Sequence, residues 1–265
     1  MLFDYHVHTP LCRHAVGSPQ EYVRRAREVG LGELGFSDHN PMPTAFDDWR
    51  MGPEELPRYL GLVEEAKESS GGDLPIRLGL ECDFLPGYED HIRFLAEQAE
   101  WDYLIGSVHY VEPQWDIDNP AKLAKWEERP VEEVWRLYFA AYTRMAGSGL
   151  FDFLAHPDLV KKFGRRPSGD LDDYYREAVD AIADAGLAIE VSTAGLRKEA
   201  REIYPEKRFL EMAHRRRIPV LLSSDAHRPE EVGYRFDLAL QLVREVGYRQ
   251  LVRFERRRAI PVAIS

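Results

Sequence analysis

The chain has 265 residues, 44% of them hydrophobic, and a formal net charge of −11. The length suits one α/β barrel domain spanning residues 1–265. The acidic balance argues against a nucleic-acid binder, which needs clustered Lys and Arg, and the absence of any apolar run of about 18 residues argues against a membrane-spanning helix.

The first predicted strand, Leu2–Val7, runs into DYHVHTPLCRH, residues 4 to 14, which carries His6, His8 and His14. Three imidazoles that can turn towards one point suggest a metal. Pro19–Val29 reads as a helix, opened by Ser18-Pro19 and closed by Gly30. Strand Glu33–Ser37 ends in Ser37-Asp38-His39. Helix Pro53–Glu68 leads to strand Ile76–Glu81, which ends in Glu81-Cys82-Asp83. Helix Glu89–Gln98 leads to strand Tyr103–Val108 and its Ser107-Val108-His109. Helix Val131–Ala146 precedes strand Phe153–Ala155, which delivers His156-Pro157-Asp158. Helix Leu171–Ala185 stops at Gly186 before strand Ala188–Val191, which brings Glu190 and Ser192-Thr193. Helix Glu206–Arg215 precedes strand Val220–Ser223, followed by Ser224-Asp225-Ala226-His227.

Strands that alternate with helices predict a parallel sheet covered by helices. Every predicted strand delivers a polar or ligand-type residue at its C-terminal end. An open sheet would leave several of those ends far apart, whereas a barrel gathers them at one mouth. A distorted, TIM-like seven-stranded barrel is therefore expected. His6, His8, His14, His39, His109, His156 and His227, with Glu81 and Asp225, make nine candidate ligands. That is too many for one ion and suits two or three sharing bridging ligands. Imidazole and carboxylate donors fit Zn, Fe or Mn. His91 and His214 fall inside predicted helices and read as packing or surface residues.

Cys12 and Cys82 are the only cysteines. They read as free thiols, with packing favoured over metal ligation. The N-terminal MLFDYHVHT has neither a basic nor an apolar leader region, so a cytoplasmic location is expected. Charged residues reach 31%, and Asn occurs only at positions 40 and 119, a composition that hints at a thermophilic source. The runs at Arg215–Arg217 and Arg256–Arg258 read as solvated helix faces.

The ordered set H-x-H-T, S-D-H, the Glu after the third strand, S-V-H, A-H-P and S-D-A-H resembles the polymerase and histidinol phosphatase (PHP) family. The resemblance spans Asp4 to about Gly233. DYHVHTPLCRH and STAGLRKEAREIYP, residues 192 to 205, resemble its histidinol-phosphate phosphatase branch. The resemblance implies a (β/α)7 barrel with three metal ions. His6, His8, Glu81 and Asp225 would hold the first. Glu81 would bridge to a second, bound by His109 and His156. His14, His39 and His227 would hold the third. It further implies a phosphomonoesterase acting on the small molecule L-histidinol phosphate, with a metal-bridging hydroxide as nucleophile.

Arg197 and Lys198 fall near the predicted mouth, and Arg197 is the leading candidate to grip a phosphate. Arg165 and Lys161 are weaker ones. Asp225 and Asp38 are the candidates to protonate the leaving alkoxide; Asp38, Asp4, Asp83 and Asp158 could instead orient ligand imidazoles. Glu190 could meet the ammonium or imidazole of the substrate. A nuclease would want a basic groove that this acidic chain does not promise. An amidohydrolase would need a different ligand order, and a non-catalytic metal-binding module would tolerate missing ligands that are all present here.

Overall fold

The computed structural model describes residues 1–264. Its strands are β1 (Phe3–Asp4), β2 (Glu33–Phe36), β3 (Ile76–Asp83), β4 (Tyr103–Ser107), β5 (Tyr110–Glu112), β6 (Trp115–Asp116), β7 (Phe153–Leu154), β8 (Ala188–Ser192), β9 (Val220–Ser223), β10 (Gln250–Glu255) and β11 (Arg258–Ala263). Its α-helices are α1 (Pro19–Glu28), α2 (Leu56–Ser69), α3 (Glu89–Ala96), α4 (Val131–Ala146), α5 (Asp172–Ala185), α6 (Lys207–Arg215) and α7 (Phe236–Val246). Seven parallel strands form one sheet in the order β1-β2-β3-β4-β7-β8-β9.

The sheet curls until its edges meet. A parallel bridge joins Val7 to Ala226, with His8 N donating to Ala226 O at 2.9 Å and Ala226 N donating to His6 O at 3.0 Å. Buried Asp4 spans the same seam and accepts from Ser224 N and Gly233 N, each at 3.0 Å, and from Ser224 Oγ. The expected barrel is thus the observed one, and its edge groups are largely paired, as closure requires.

Aromatic rings fill the interior. Tyr103 stacks with Tyr5 at 5.1 Å between centroids and meets Phe153 at 5.4 Å, while Phe153 meets Phe254 at 5.2 Å. A Cβ at Gly79 would lie 2.5 Å from Tyr103 Cζ, so only glycine leaves room for that ring inside the barrel.

The predicted helices form within a residue or two of their expected ends. The exception is the second, whose first turn, Pro53–Glu55, is a 3₁₀ turn preceding α2. The sequence reading did not anticipate α7, the small β5–β6 ribbon or the β10–β11 hairpin. The run Arg256–Arg258 is accordingly corrected. Arg256 and Arg257 form the hairpin turn with φ of 49° and 62°, and Arg257 Nε donates to Asp152 Oδ2 at 2.8 Å.

The hairpin lies under the N-terminal ends of the barrel strands. Glu33 there accepts from the Tyr5 hydroxyl at 2.6 Å, Arg77 Nε at 2.8 Å and Arg253 Nη1 at 3.1 Å. The two helical histidines have local roles: His91 Nε2 lies 2.8 Å from Pro41 O, and the His214 ring packs edge-on to Tyr248.

Candidate metal centre

All nine candidate ligands meet at the C-terminal ends of the strands. Glu81, near the end of β3, is the centre. His6 Nε2 lies 3.2 Å from Glu81 Oε2, and His8 Nε2 lies 3.6 Å from it. Asp225 Oδ1 lies 3.7 Å from His6 Nε2 and 3.3 Å from His8 Nε2. Four donors arranged tetrahedrally around one ion at about 2.1 Å stand about 3.4 Å apart, so these spacings fit a shared cation. The other Glu81 oxygen, Oε1, lies 3.2 Å from His156 Nε2 and 3.7 Å from His109 Nε2. His39 Nδ1 approaches Glu81 Oε2 to 2.8 Å. The rings of His14 and His227 stack at 4.5 Å, and those of His8 and His227 at 4.1 Å.

Acceptors behind the rings set their tautomers. His6 Nδ1 faces Glu190 Oε2 at 2.9 Å, His8 Nδ1 faces Asp38 Oδ1 at 3.4 Å and His109 Nδ1 faces Asp83 Oδ1 at 2.7 Å. His14 Nδ1 faces Cys12 O at 2.6 Å and His227 Nδ1 faces Asp225 O at 3.1 Å. Ionised carboxylates and carbonyls only accept, so each of these Nδ1 atoms carries a proton, and Nε2 is the nitrogen left for a cation, which displaces any proton it holds. His6 Nε2, His8 Nε2, His227 Nε2 and Glu81 Oε2 are buried without a hydrogen-bond partner, as are His39 Nδ1, which faces Glu81, and His156 Nδ1, on the far side of the ring from Glu81. Buried polar atoms ordinarily have one, so this concentration of lone pairs and carboxylate oxygens fits divalent cations.

Burial alone would raise the pKa of Glu81 and Asp225, yet the surrounding histidines hold both well below the usual carboxylate range. Burial pushes His39 down to about 4, against the pull of Glu81. At His109 burial is overcome by Asp83, which raises it to about 10, so a cation taken up at Nε2 displaces a proton. The backbone is also constrained: φ is 23° at His156 and 50° at Asp225, values that disfavour a side chain.

Above the cluster lies a cavity of about 250 Å³. Its floor includes His14, His39, Glu81, His109, His156, Asp225 and His227, and its wall carries Arg197, Lys198, Lys162, Arg228 and Tyr204. Arg197 is tied by Nη2 to Ser224 O at 2.8 Å and Asp225 O at 3.0 Å, and by Nε to Glu231 at 3.2 Å. Burial and the nearby Lys162 lower the pKa of Lys198. An adjoining cavity of about 300 Å³ is bounded by Trp49, Asp116, Asp118, Asn119 and Pro120.

Several expectations need correction. Asp38 is wholly buried behind His8 and accepts from Thr9 N at 3.3 Å, Thr9 Oγ1 and His39 N at 3.0 Å, so it orients rather than protonates. Glu190 is equally buried; it holds His6 and accepts from His156 N at 2.8 Å, out of reach of a substrate. Arg165 pairs with Glu127 at 2.5 Å and does not line the cavity. Lys161 is buried against Asp158 at 2.7 Å, while its neighbour Lys162 lines the cavity. Asp4 closes the seam and Asp158 holds Lys161 and Glu206 N, so of the four proposed imidazole partners Asp38 and Asp83 serve. Lys162, Arg228, Asp118, Trp49 and Tyr204 went unread because they sit in loops beyond the strand ends; Tyr204 alone lay inside a quoted motif.

A profile of the PHP domain matches residues 4–194. A protein named "Probable histidinol-phosphatase" from Deinococcus radiodurans is 45% identical over 261 residues, covering 98% of this chain and 99% of that protein. The histidinol-phosphatase of Bacillus subtilis is 29% identical, covering 90% of this chain and 98% of its own. Among solved structures, histidinol phosphate phosphatase from Lactococcus lactis, complexed with Zn, L-histidinol and phosphate, superposes with a TM-score of 0.83 at 20% identity, covering 98% of each chain. By the extent of the profile match and the near-full-length relative, this chain belongs to the PHP family.

Proposed function

We propose that the chain is a metal-dependent phosphomonoesterase that hydrolyses L-histidinol phosphate to L-histidinol and inorganic phosphate. One observation carries this reading: a single cavity joins seven of the nine convergent metal-type donors to a wall of Arg197, Lys198, Lys162 and Arg228. The near-full-length likeness to the Deinococcus protein supports the substrate.

His6, His8, Glu81 and Asp225 would hold one ion. Glu81, His109 and His156 would hold a second, and His14, His39 and His227 a third. Imidazole and carboxylate donors admit Zn, Fe or Mn. Divalent ions supply Lewis-acid neutralisation of phosphoryl charge and a lowered pKa for water. The chain supplies the rest. Glu190, Asp38 and Asp83 keep the proton of each imidazole on Nδ1 and the ring aimed inward. Arg197 Nη1, buried without a partner, is free to donate to a phosphoryl oxygen. Asp225 is held ionised by its histidines, which suits a ligand and not a proton donor.

Trp49 walls the site, its ring 4.7 Å from that of His39. Arg50 stacks 4.2 Å over Trp49 and donates to Asp83 Oδ2 at 2.8 Å, so the wall and the partner of His109 move as one. The adjoining chamber, walled by Trp49, Asn119 and Pro120 with Asp116 and Asp118 paired to Lys122 and Lys162, offers the space for the histidinol moiety in place of Glu190.

The reading extends to one domain over 1–265 and to a cytoplasmic location. Two buried free thiols, Cys12 and Cys82, fit a reducing compartment. Among the described residues, no helix is long and apolar enough to cross a membrane.

The test is phosphate release from L-histidinol phosphate by metal-loaded protein and by His109→Ala, with p-nitrophenyl phosphate and a short oligonucleotide as controls. Strong preference for histidinol phosphate, abolished in the variant, is expected. Preference for the oligonucleotide, or no turnover by fully loaded protein, overturns the reading.

A further inference from the structure

The unpartnered atoms around the cavity are of two kinds. On the floor they are imidazole lone pairs and a carboxylate oxygen, which accept. On the wall they are Arg197 Nη1 and the Tyr204 hydroxyl, both buried and both able to donate. A ligand that satisfies both sets must turn anionic oxygens to the wall while sharing cations with the floor. A phosphate monoester does this; a neutral or cationic ligand does not.

Tyr204 is held in place on every side. Its backbone pairs with Ser192 in both directions, with N···O distances of 2.6 and 2.9 Å. A Cβ on Gly195 would lie 2.8 Å from Tyr204 Cζ, so the loop at Gly195 packs directly on the ring. The Lys161 ammonium sits 5.4 Å from the ring centroid and is itself anchored to Asp158 at 2.7 Å and Ile203 O at 2.9 Å. Burial, reinforced by Asp158, Asp118 and Asp225, keeps the phenol protonated far above neutral pH. Its proton is therefore always available, and its direction is fixed before any ligand arrives.

We propose that Tyr204 is a further catalytic residue: its hydroxyl donates a hydrogen bond to a phosphoryl oxygen of the bound monoester, beside Arg197. This rests on the phosphomonoesterase reading above. A fixed donor aimed at oxygens whose charge shifts during phosphoryl transfer stabilises the transition state more than the ground state, so it raises kcat as well as affinity.

The experiment compares metal-loaded wild type with Tyr204→Phe, which keeps the ring and removes only the hydroxyl. Turnover of L-histidinol phosphate and of p-nitrophenyl phosphate should both fall about tenfold or more, chiefly in kcat. Binding of inorganic phosphate, read by calorimetry, should weaken about threefold to tenfold, the worth of one hydrogen bond. Inhibition by L-histidinol, which lacks the phosphate, should not change, nor should metal content or circular dichroism. Unchanged turnover and phosphate binding overturn the proposal. So does a loss shared equally by L-histidinol, or accompanied by lost metal, since either marks a structural role. Should wild type turn over no phosphomonoester, the underlying reading fails. The calorimetric comparison of the two proteins still decides whether Tyr204 meets phosphate.

Discussion

The two ends of the barrel use the same residue types to opposite effect. At the base, Glu33 is nearly as buried as Glu81 at the rim. Glu33, however, accepts from Tyr5, Arg77 and Arg253, all with ordinary geometry. Glu81 Oε2 has three histidine nitrogens within 3.6 Å and no hydrogen bond. A buried charge with well-aligned donors holds a fold together. A buried carboxylate crowded by imidazoles and lacking well-aligned donors holds the fold less well and leaves its oxygens open to a cation. The base is thus built for stability and the rim for binding.

Four measurements break or sharpen that contrast. The largest effect on activity is expected from Glu81→Gln, which removes the charge shared by two of the proposed ion positions and replaces one of its two oxygens with an amide nitrogen. Turnover should fall by about 10³-fold or more, and elemental analysis should show lost metal, since metal contacts supply several kcal/mol of transition-state stabilisation. Next comes Glu190→Gln, which leaves one uncharged acceptor oxygen for both His6 Nδ1 and His156 N without removing a ligand. Metal affinity or activity should fall about 10- to 100-fold, measured by competition with a chelator and by kcat/KM. At the base, Glu33→Ala leaves the buried Tyr5 hydroxyl without its acceptor, while Arg77 and Arg253 keep Glu255. It should cost about 1–3 kcal/mol in denaturant unfolding and leave kcat/KM of the folded protein unchanged. The smallest effect belongs to Arg165→Ala. Its side chain meets Glu127 away from the cavity, so KM should move less than about twofold, as for other surface changes.

Metal removal probes the same contrast on the whole protein. Chelation should abolish turnover and lower the melting temperature, because ions that bind only the native state stabilise it by mass action. Restored metal should return both.

Much of the rim was legible because chemistry and position coincide there. In a parallel barrel the strand C-termini share one mouth, so His6, His39, Glu81, His109, His156 and Asp225 could be placed together from strand ends alone. The tautomer partners were harder. Glu190 and Asp38 have the composition of catalytic groups, and only burial and hydrogen-bond direction show that they face the rings from behind. The cavity wall was mostly illegible because Lys162, Trp49 and Asp118 lie on irregular loops with no period to read. Lys161 and Lys162 are adjacent, yet one is buried under Tyr204 and the other lines the cavity. The hairpin β10–β11 was hidden by its turn. Left-handed turns of two residues normally announce themselves with Asn-Gly or Asp-Gly, and here two arginines take that conformation.

The seam between β1 and β9 sets when, during synthesis, the site can exist. Its pairing joins residues such as Asp4 and Ser224, separated by 220 positions in sequence. The proposed ion positions straddle it, with His6 and His8 synthesised well before Asp225 and His227. A nascent chain that has not yet exposed its ninth strand has no complete site to load. Metal capture therefore marks the closing of the ring, and it rewards the slowest, most non-local contact in the fold.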